Sequence, residues 1–244
     1  MLDDLLHTVV ADRLMESGSM KQSSYIPNDP RVFSTIRKAF VEVDKLVLEE
    51  AKRVLEADFS SRSEVISFIS NCMSGSCALM AIYDPVHGVL RVANTGDSRA
   101  VLGRWDGKNY VARPMSTDHT GFNPDEAMRL QRDHPDEDVV DPETGRVLGL
   151  AVTRAFGDAR WKWPESLTRL AHEKFWGPPP RPNGVVRTPP YLTAEPEITE
   201  TRIQTGDHPD FLILASDGLW DLMSNEDAVK CVSMWLEQLS LIHI

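Results

Sequence analysis

Apolar residues recur at helical spacing along the first part of the chain and at strand spacing after residue 75. Residues 2–16 read as an amphipathic helix and residues 17–28 as a polar connector. A longer helix fits 30–57, with Asp29 as its cap and Pro30 in its first turn. Its stripe of Phe33, Ile36, Phe40, Val43, Val47, Ala51 and Val54, at three- and four-residue steps, predicts core packing. Then the period changes. "SCALMAIYD" and "GVLRVANTG" read as strands joined by "PVHG", and "SRAVLGRW" and "NYVARPMS" as strands joined by "DGK". Turns this short force antiparallel pairing, because a parallel crossover needs many more residues. A helix fits 123–134, the proline-dense stretch 160–196 reads as a long excursion, and 197–203 and 210–216 return to strand. Ser224 caps a last helix with Val229, Val232, Trp235, Leu236 and Leu239 as its apolar positions. Helices, then an antiparallel meander, then strand and helix predict an α+β layered domain and not a doubly wound parallel sheet. With no strand after the last helix, a sheet built from these strands exposes edges.

Composition narrows the function classes. The 244 residues are 41% hydrophobic, enough for a sizeable core, and 37 acidic against 26 basic residues give a net charge of −11. That balance disfavours a general nucleic-acid or anionic-membrane binder. Three cysteines, Cys72, Cys77 and Cys231, make no disulfide framework and suggest a reducing compartment. The "CMSGSC" pair lacks a second Cys or His pair at ligand spacing and reads as two ordinary buried thiols. No apolar run is long enough to cross a bilayer. The first residues carry Asp3 and Asp4, unlike a secretory signal or a mitochondrial presequence, so the chain shows no address of its own.

Three Asp-bearing turns carry candidate chemistry. Asp97 sits in "NTGDSRA" between two strands, Arg154 and Asp158 flank a glycine in "AVTRAFGDARWKWP", and Asp217 and Asp221 follow the apolar run of "FLILASDGLWDLMS". Phe211–Ala215 reads as a strand buried on both faces, and a carboxylate at its mouth is costly unless paired, hydrogen-bonded or metal-bound. Carboxylates at strand ends can converge on Mg²⁺ or Mn²⁺, and two such ions clamp a phosphate and activate a water. Bland readings stand beside these. Asp97 alone fits a turn that bonds its own backbone, Arg154 fits a salt bridge as well as a substrate contact, and Asp158 fits a turn former. The burial expected of Asp217 favours function, and the spacing of Asp221 after it favours a metal role. "GDSRA" also resembles a nucleophile elbow with Ser98, but an elbow needs a helix where "AVLGRW" reads as strand.

Taken in order, "SGSCALMAIYD", "LRVANTGDSRAVLG", "LAVTRAFGD" and "LILASDGLWDLMS" resemble the metal-dependent PPM (type 2C) serine/threonine protein phosphatases, over about residues 70 to 232. The resemblance implies an α-β-β-α sandwich of two antiparallel sheets flanked by helices, with a two-metal site for Mg²⁺ or Mn²⁺ at one end. By motif match it makes Asp217 a ligand of one catalytic metal and puts Asp97 and Asp221 at the same site, where a further, weaker metal can bind. It makes Arg154 a substrate-binding residue. It also implies direct in-line attack of a metal-bound hydroxide on phosphoserine or phosphothreonine. "RAFGDARWKWP" followed by "TPPYLTAEPEI" resembles the pyruvate dehydrogenase phosphatase branch, which implies the E1 component of pyruvate dehydrogenase as phosphoprotein partner and a mitochondrial setting, with a cytoplasmic one as the alternative.

The family's "DGHGG" motif, its earlier phosphate-binding Arg and its late "DN" pair have no counterpart in this sequence. Residues 1–244 therefore read as a partial phosphatase domain, incomplete at both ends, with a proline-rich insertion at 177–190 as candidate selectivity loop. The chain as given is expected to bind Mg²⁺ or Mn²⁺ weakly and to turn over little substrate. The competing reading is a non-catalytic binding or regulatory module on the same scaffold.

Overall fold

The computed structural model describes residues 2–18, 25–57, 62–175, 177–182 and 184–242. Two helices lead, α1 (Leu2–Glu16) and α2 (Pro30–Glu56), followed by α3 (Arg62–Met73). Then come β1 (Gly75–Ser76), β2 (Ala78–Asp84), β3 (Val89–Thr95), β4 (Arg99–Trp105) and β5 (Tyr110–Pro114). After α4 (Pro124–Asp133) the chain forms β6 (Phe156–Gly157), α5 (Ala159–Lys162) and α6 (Glu165–Phe175). It ends with β7 (Glu197–Arg202), β8 (Phe211–Ala215), α7 (Asp217–Trp220) and α8 (Asn225–Ile242). Residues 19–24 of the expected connector lie outside the described residues. No helix among those described is long and apolar enough to cross a membrane.

The caps explain two boundaries. Asp29 accepts the Arg31 N–H at the start of α2, and Asn123 accepts the Asp125 N–H at the start of α4, each with proline just inside. Besides the four-residue α5 and α7, two longer helices escaped the sequence pattern. In α3 the apolar positions Val65, Ile69 and Cys72 keep helical spacing and are buried, but they are interleaved with serines of weak helix preference. Packing against α2 and α6 stabilises this helix more than its own propensity does. The expected excursion at 160–196 is also corrected. Its prolines concentrate after Gly177, so nothing breaks α6, whose Thr168 and Ala171 face inward.

Two three-stranded antiparallel sheets, ordered β2-β3-β7 and β5-β4-β8, form the centre, and β1 pairs with β6 beside them. Alternation along the two middle strands sets four layers. Leu90 and Vals such as Val92 on β3 meet Ala100 and Leu102 on β4 between the sheets. Ala93 on β3 faces Ile36, Ala39 and Phe40 of α2 on one outside. Val101 on β4 faces Trp220, Ala228 and Val229 on the other. Helix, sheet, sheet, helix is the resulting order, the α+β sandwich expected from the sequence. One expectation fails. β8 is not buried on both faces: it pairs only with β4, and Leu214 is 45% exposed. The apolar run reads as a central strand because its composition carries no sign of its edge position.

The α2 face is tied to the segment after β6 by a buried polar cluster. Lys162 Nζ donates to Asp44 Oδ2 at 2.6 Å and to the Ala155 carbonyl at 2.7 Å, and the Gly157 N–H donates to Asp44 Oδ1 at 2.8 Å. Asp158 follows in a left-handed conformation at φ 48°, its carboxylate filling the space where a Cβ on Gly75 would sit. Burial pushes the Asp158 carboxyl up to about 6; Lys162 opposes the shift and Asp44 adds to it.

Two outcomes are expected. Phe40, fully buried with its ring centroid 5.6 Å from that of Phe156, leaves a cavity when truncated, so Phe40→Ala costs about 3–5 kcal/mol in urea denaturation. Folded Asp158 keeps its proton to higher pH than the unfolded chain does. Its contribution to stability therefore falls as pH climbs from about 4 to about 6 and stays flat above. Asp158→Asn, which tolerates the left-handed backbone, raises stability at pH 7 by roughly 1–3 kcal/mol and removes that slope from the denaturation midpoint.

Candidate active site

The short connection from β3 to β4 carries the chain from one sheet to the other and holds Asp97. Gly96 adopts φ 113°, and a Cβ there would meet Cys77 Sγ at 2.3 Å, so only glycine fits this turn. Asn94 Nδ2 donates to the carbonyls of Gly96 and Thr117, each at 3.1 Å. The Gly96 N–H donates to Nδ1 of buried His119 at 3.2 Å, which leaves the proton on Nε2, 3.5 Å from Glu197. The imidazole beside it lowers the Glu197 carboxyl, burial opposing.

The β4–β8 register pairs Arg99 with Ala215. Asp97 and Asp217 stand two residues past the end of that ladder, one on each chain segment, and both carboxylates are near enough to the Cys77 thiol to act on it. Asp217 opens α7, where its Oδ1 accepts the Gly218 N–H at 2.8 Å, and the Asp221 N–H donates to the Asp217 carbonyl at 2.8 Å one turn later. Trp220 fixes this turn. Its indole N–H is shared between the carbonyls of Arg99 (3.2 Å) and Ala215 (3.0 Å), the last pair of the ladder.

Both Asp217 and Asp221 are exposed, and Asp97 is half-buried. The premise that Asp217 is a buried charge is therefore corrected, because an edge strand leaves its mouth open to water. Cys77, expected as an ordinary buried thiol, is half-buried and donates from Sγ to Asp97 Oδ1 at 3.2 Å. Burial pushes the Cys77 thiol up to about 12, and the negative charges of Asp97 and Asp217 add to the shift.

Arg99 and Asp118 belong to this end of the sandwich and were missed from sequence. Arg99 clamps Asp118 at 2.9 and 2.5 Å and donates to Asn225 Oδ1 at 3.0 Å. Asp118, with Asp221 adding, raises the Arg99 guanidinium above its ordinary range. The available signal was spacing: Arg99 stands two residues after Asp97, and alternate strand residues share a face. Ser98 is followed by β4 and not by a helix, as the strand pattern of "AVLGRW" indicates.

Arg154 lies apart from these carboxylates. Its Nε and Nη2 reach the two oxygens of Glu126 at 3.1 and 2.6 Å, and Nη1 reaches the Glu195 carbonyl at 2.8 Å. Every guanidinium nitrogen is engaged within the fold, which is the salt-bridge reading of this residue. Arg129 and Thr153 also bond Glu126. Burial alone raises the Glu126 carboxyl, but the hydrogen bonds from Arg154, Arg129 and Thr153 outweigh it and hold it well below the usual carboxylate range.

Hard carboxylate oxygens are the donors that Mg²⁺ and Mn²⁺ prefer. Among the described residues, however, no three His, Cys, Asp or Glu side chains come close enough together to hold a metal ion. Asp97, Asp217 and Asp221 gather at one end of the sandwich without forming a complete cation site by themselves.

The protein phosphatase 2C family matches residues 16–242, and the chain belongs to that family. A protein phosphatase 2C homolog of Schizosaccharomyces pombe is 40% identical across 96% of this chain and 52% of its own length. Saccharomyces cerevisiae mitochondrial pyruvate dehydrogenase (acetyl-transferring) phosphatase 1 is 37% identical across 86% of this chain and 37% of its own length. Phosphatase 2 of the same description from Homo sapiens is 43% identical across 65% and 31%. The chain thus spans about half the length of the first of these relatives and less of the others. Among solved structures, a serine-threonine phosphatase 2C from Toxoplasma gondii superimposes with a TM-score of 0.58 at 17% identity, over 98% of this chain and 69% of that one, which shows the shared fold.

The Glu126 cluster generates a pH-dependent expectation. Its carboxyl is depressed in the folded state, so the stability it contributes is present above about pH 4.3 and is lost as pH falls towards the folded value. Glu126→Gln weakens the native state at pH 7 by about 3 kcal/mol, through Arg129 and Arg154 left short of a charge, and flattens the acid limb of stability against pH in urea titrations.

Proposed function

We propose that this chain is the core of a metal-dependent protein serine/threonine phosphatase that hydrolyses phosphoserine and phosphothreonine. The observation that supports this reading is that Asp97 and Asp217 stand just past the end of the β4–β8 ladder and both act on the Cys77 thiol, with Asp221 one turn on. Their contacts with Gly218 and Cys77 leave carboxylate oxygens over, of the hard kind that suits Mg²⁺ or Mn²⁺. In this reading Asp97, Asp217 and Asp221 supply part of the ligand set. Arg99 and Asp118 hold the neighbouring surface, and Arg154 braces the fold without touching substrate. When bound, the cations supply an activated water and charge neutralisation at the phosphate. The named relatives support pyruvate dehydrogenase as the phosphoprotein partner and the mitochondrion as the compartment.

The 244-residue chain alone is expected to hold Mn²⁺ weakly, because no three of its described donors converge. That same observation favours a second reading, a scaffold that binds phosphoprotein without hydrolysing it.

The test is Mn²⁺-dependent release of phosphate from a phosphothreonine peptide, comparing this chain with a version extended by a DGHGG segment and an Asp–Asn segment. The extended protein turns over and this chain does not; Asp217→Asn in the extended protein lowers turnover by at least ~100-fold, as loss of a metal-site group does. If neither version releases phosphate but both bind the peptide, the scaffold reading replaces the enzyme reading.

A further inference from the structure

Between α4 and the segment 137–142 lies a cavity of about 430 Å³ that none of the chemistry above uses. Phe122, Ala127, Gln131, Val139 and Val140 line it. Phe122 is 65% exposed although its ring packs against Gly145, where a Cβ would meet the ring at 2.7 Å. Gly121 likewise admits Val140 Cγ1, which a Cβ would meet at 2.5 Å. An aromatic ring left open to water, beside a hollow walled by apolar side chains together with Gln131, Glu137 and Asp138, is a surface suited to receive a side chain.

The surroundings specify which kind. Residues 121–149 contain eight acidic and three basic residues, so this stretch holds nearly half of the chain's net charge of −11. The side chains of Asp125, Asp136 and Asp138 are exposed, and no ion pair of theirs is found among the described residues. Of the basic groups nearby, Arg129 is committed to Glu126 and Arg132 to Asp133, while Arg146 and Arg187 donate to the carbonyls of Gly149 and Asp136. The hollow is also coupled to the candidate active site. Asn123 Nδ2 donates to the Asp118 carbonyl at 3.1 Å, and Asp118 is the carboxylate that Arg99 clamps.

We propose that this hollow is a docking site for a basic segment of the phosphoprotein substrate, which inserts one apolar side chain beside Phe122 while its Lys or Arg residues meet Asp125, Asp136 and Asp138. The inference deepens the phosphatase reading and rests on it for the identity of the occupant. Charge complementarity selects the flanking residues, and the hollow selects the apolar anchor between them.

The test uses the full 244-residue chain and a fluorescent peptide of about a dozen residues with one leucine between arginines, followed by anisotropy at low and moderate salt. Saturable binding is expected, weakened ~10-fold by Asp136→Lys with Asp138→Lys and by a similar factor when the leucine becomes serine. Phe122→Ser, at an exposed ring, weakens binding without unfolding the chain, whereas Glu49→Lys on the distant α2 does not. Equal affinity for the leucine and serine peptides, or indifference to the two charge reversals, overturns the proposal. So does a chain that self-associates in sedimentation and dissociates with Phe122→Ser, since the occupant is then a second copy. The binding readout needs no turnover. In the extended, active protein the charge reversals raise KM for a phosphopeptide carrying the basic segment and leave kcat unchanged; unchanged KM sinks the docking site while the phosphatase reading stands.

Discussion

The connection between β3 and β4 is the constraint on which the rest of the structure depends. Each strand is the middle member of its own sheet, so three residues of turn set how the two sheets face one another. That turn is crowded. Cys77 Sγ occupies the place of a Cβ on Gly96, Asn94 bridges it to Thr117, and His119 closes it from beneath. Its conformation then fixes where Asp97 points, and the β4–β8 ladder carries that placement across to Asp217. The position of the carboxylates is a consequence of sheet geometry before it is a matter of chemistry.

Buried charge is used elsewhere in the molecule for a different end. Glu126 with Arg129 and Arg154, and Asp44 with Lys162, are satisfied clusters that tie distant segments together. Such clusters are weak sources of net stability, yet removing one member leaves the other stranded. They join α4 to the stretch before β6, and α2 to the stretch after it. The long segment from residue 115 to 196 is therefore fastened to the sandwich at polar points as well as through its apolar contacts.

Much of this was legible in the sequence. Period-two alternation and short turns gave the antiparallel strands, and the cap at Asp29 gave a helix start, because those signals are local. The three Asp-bearing turns were legible for the same reason. Properties set by neighbours were not. Nothing in "FLILA" tells that β8 lies at an edge, and nothing in "RSEVISFISNCM" announces α3, which tertiary packing stabilises. Arg154 has the same appearance in sequence whether it meets a substrate or Glu126. The role of Arg99 emerges only when Asp118 and Asn225, far along the chain, come to its side.

The shared indole bond of Trp220 has a kinetic meaning. α7 is four residues long and too short to persist by its own hydrogen bonds. Because one N–H spans the terminal carbonyls of both β4 and β8, the turn is anchored to the end of the ladder and not held by its own bonds alone. Opening of the turn therefore carries the added cost of detaching the indole, a slower clock than that of an isolated helical turn.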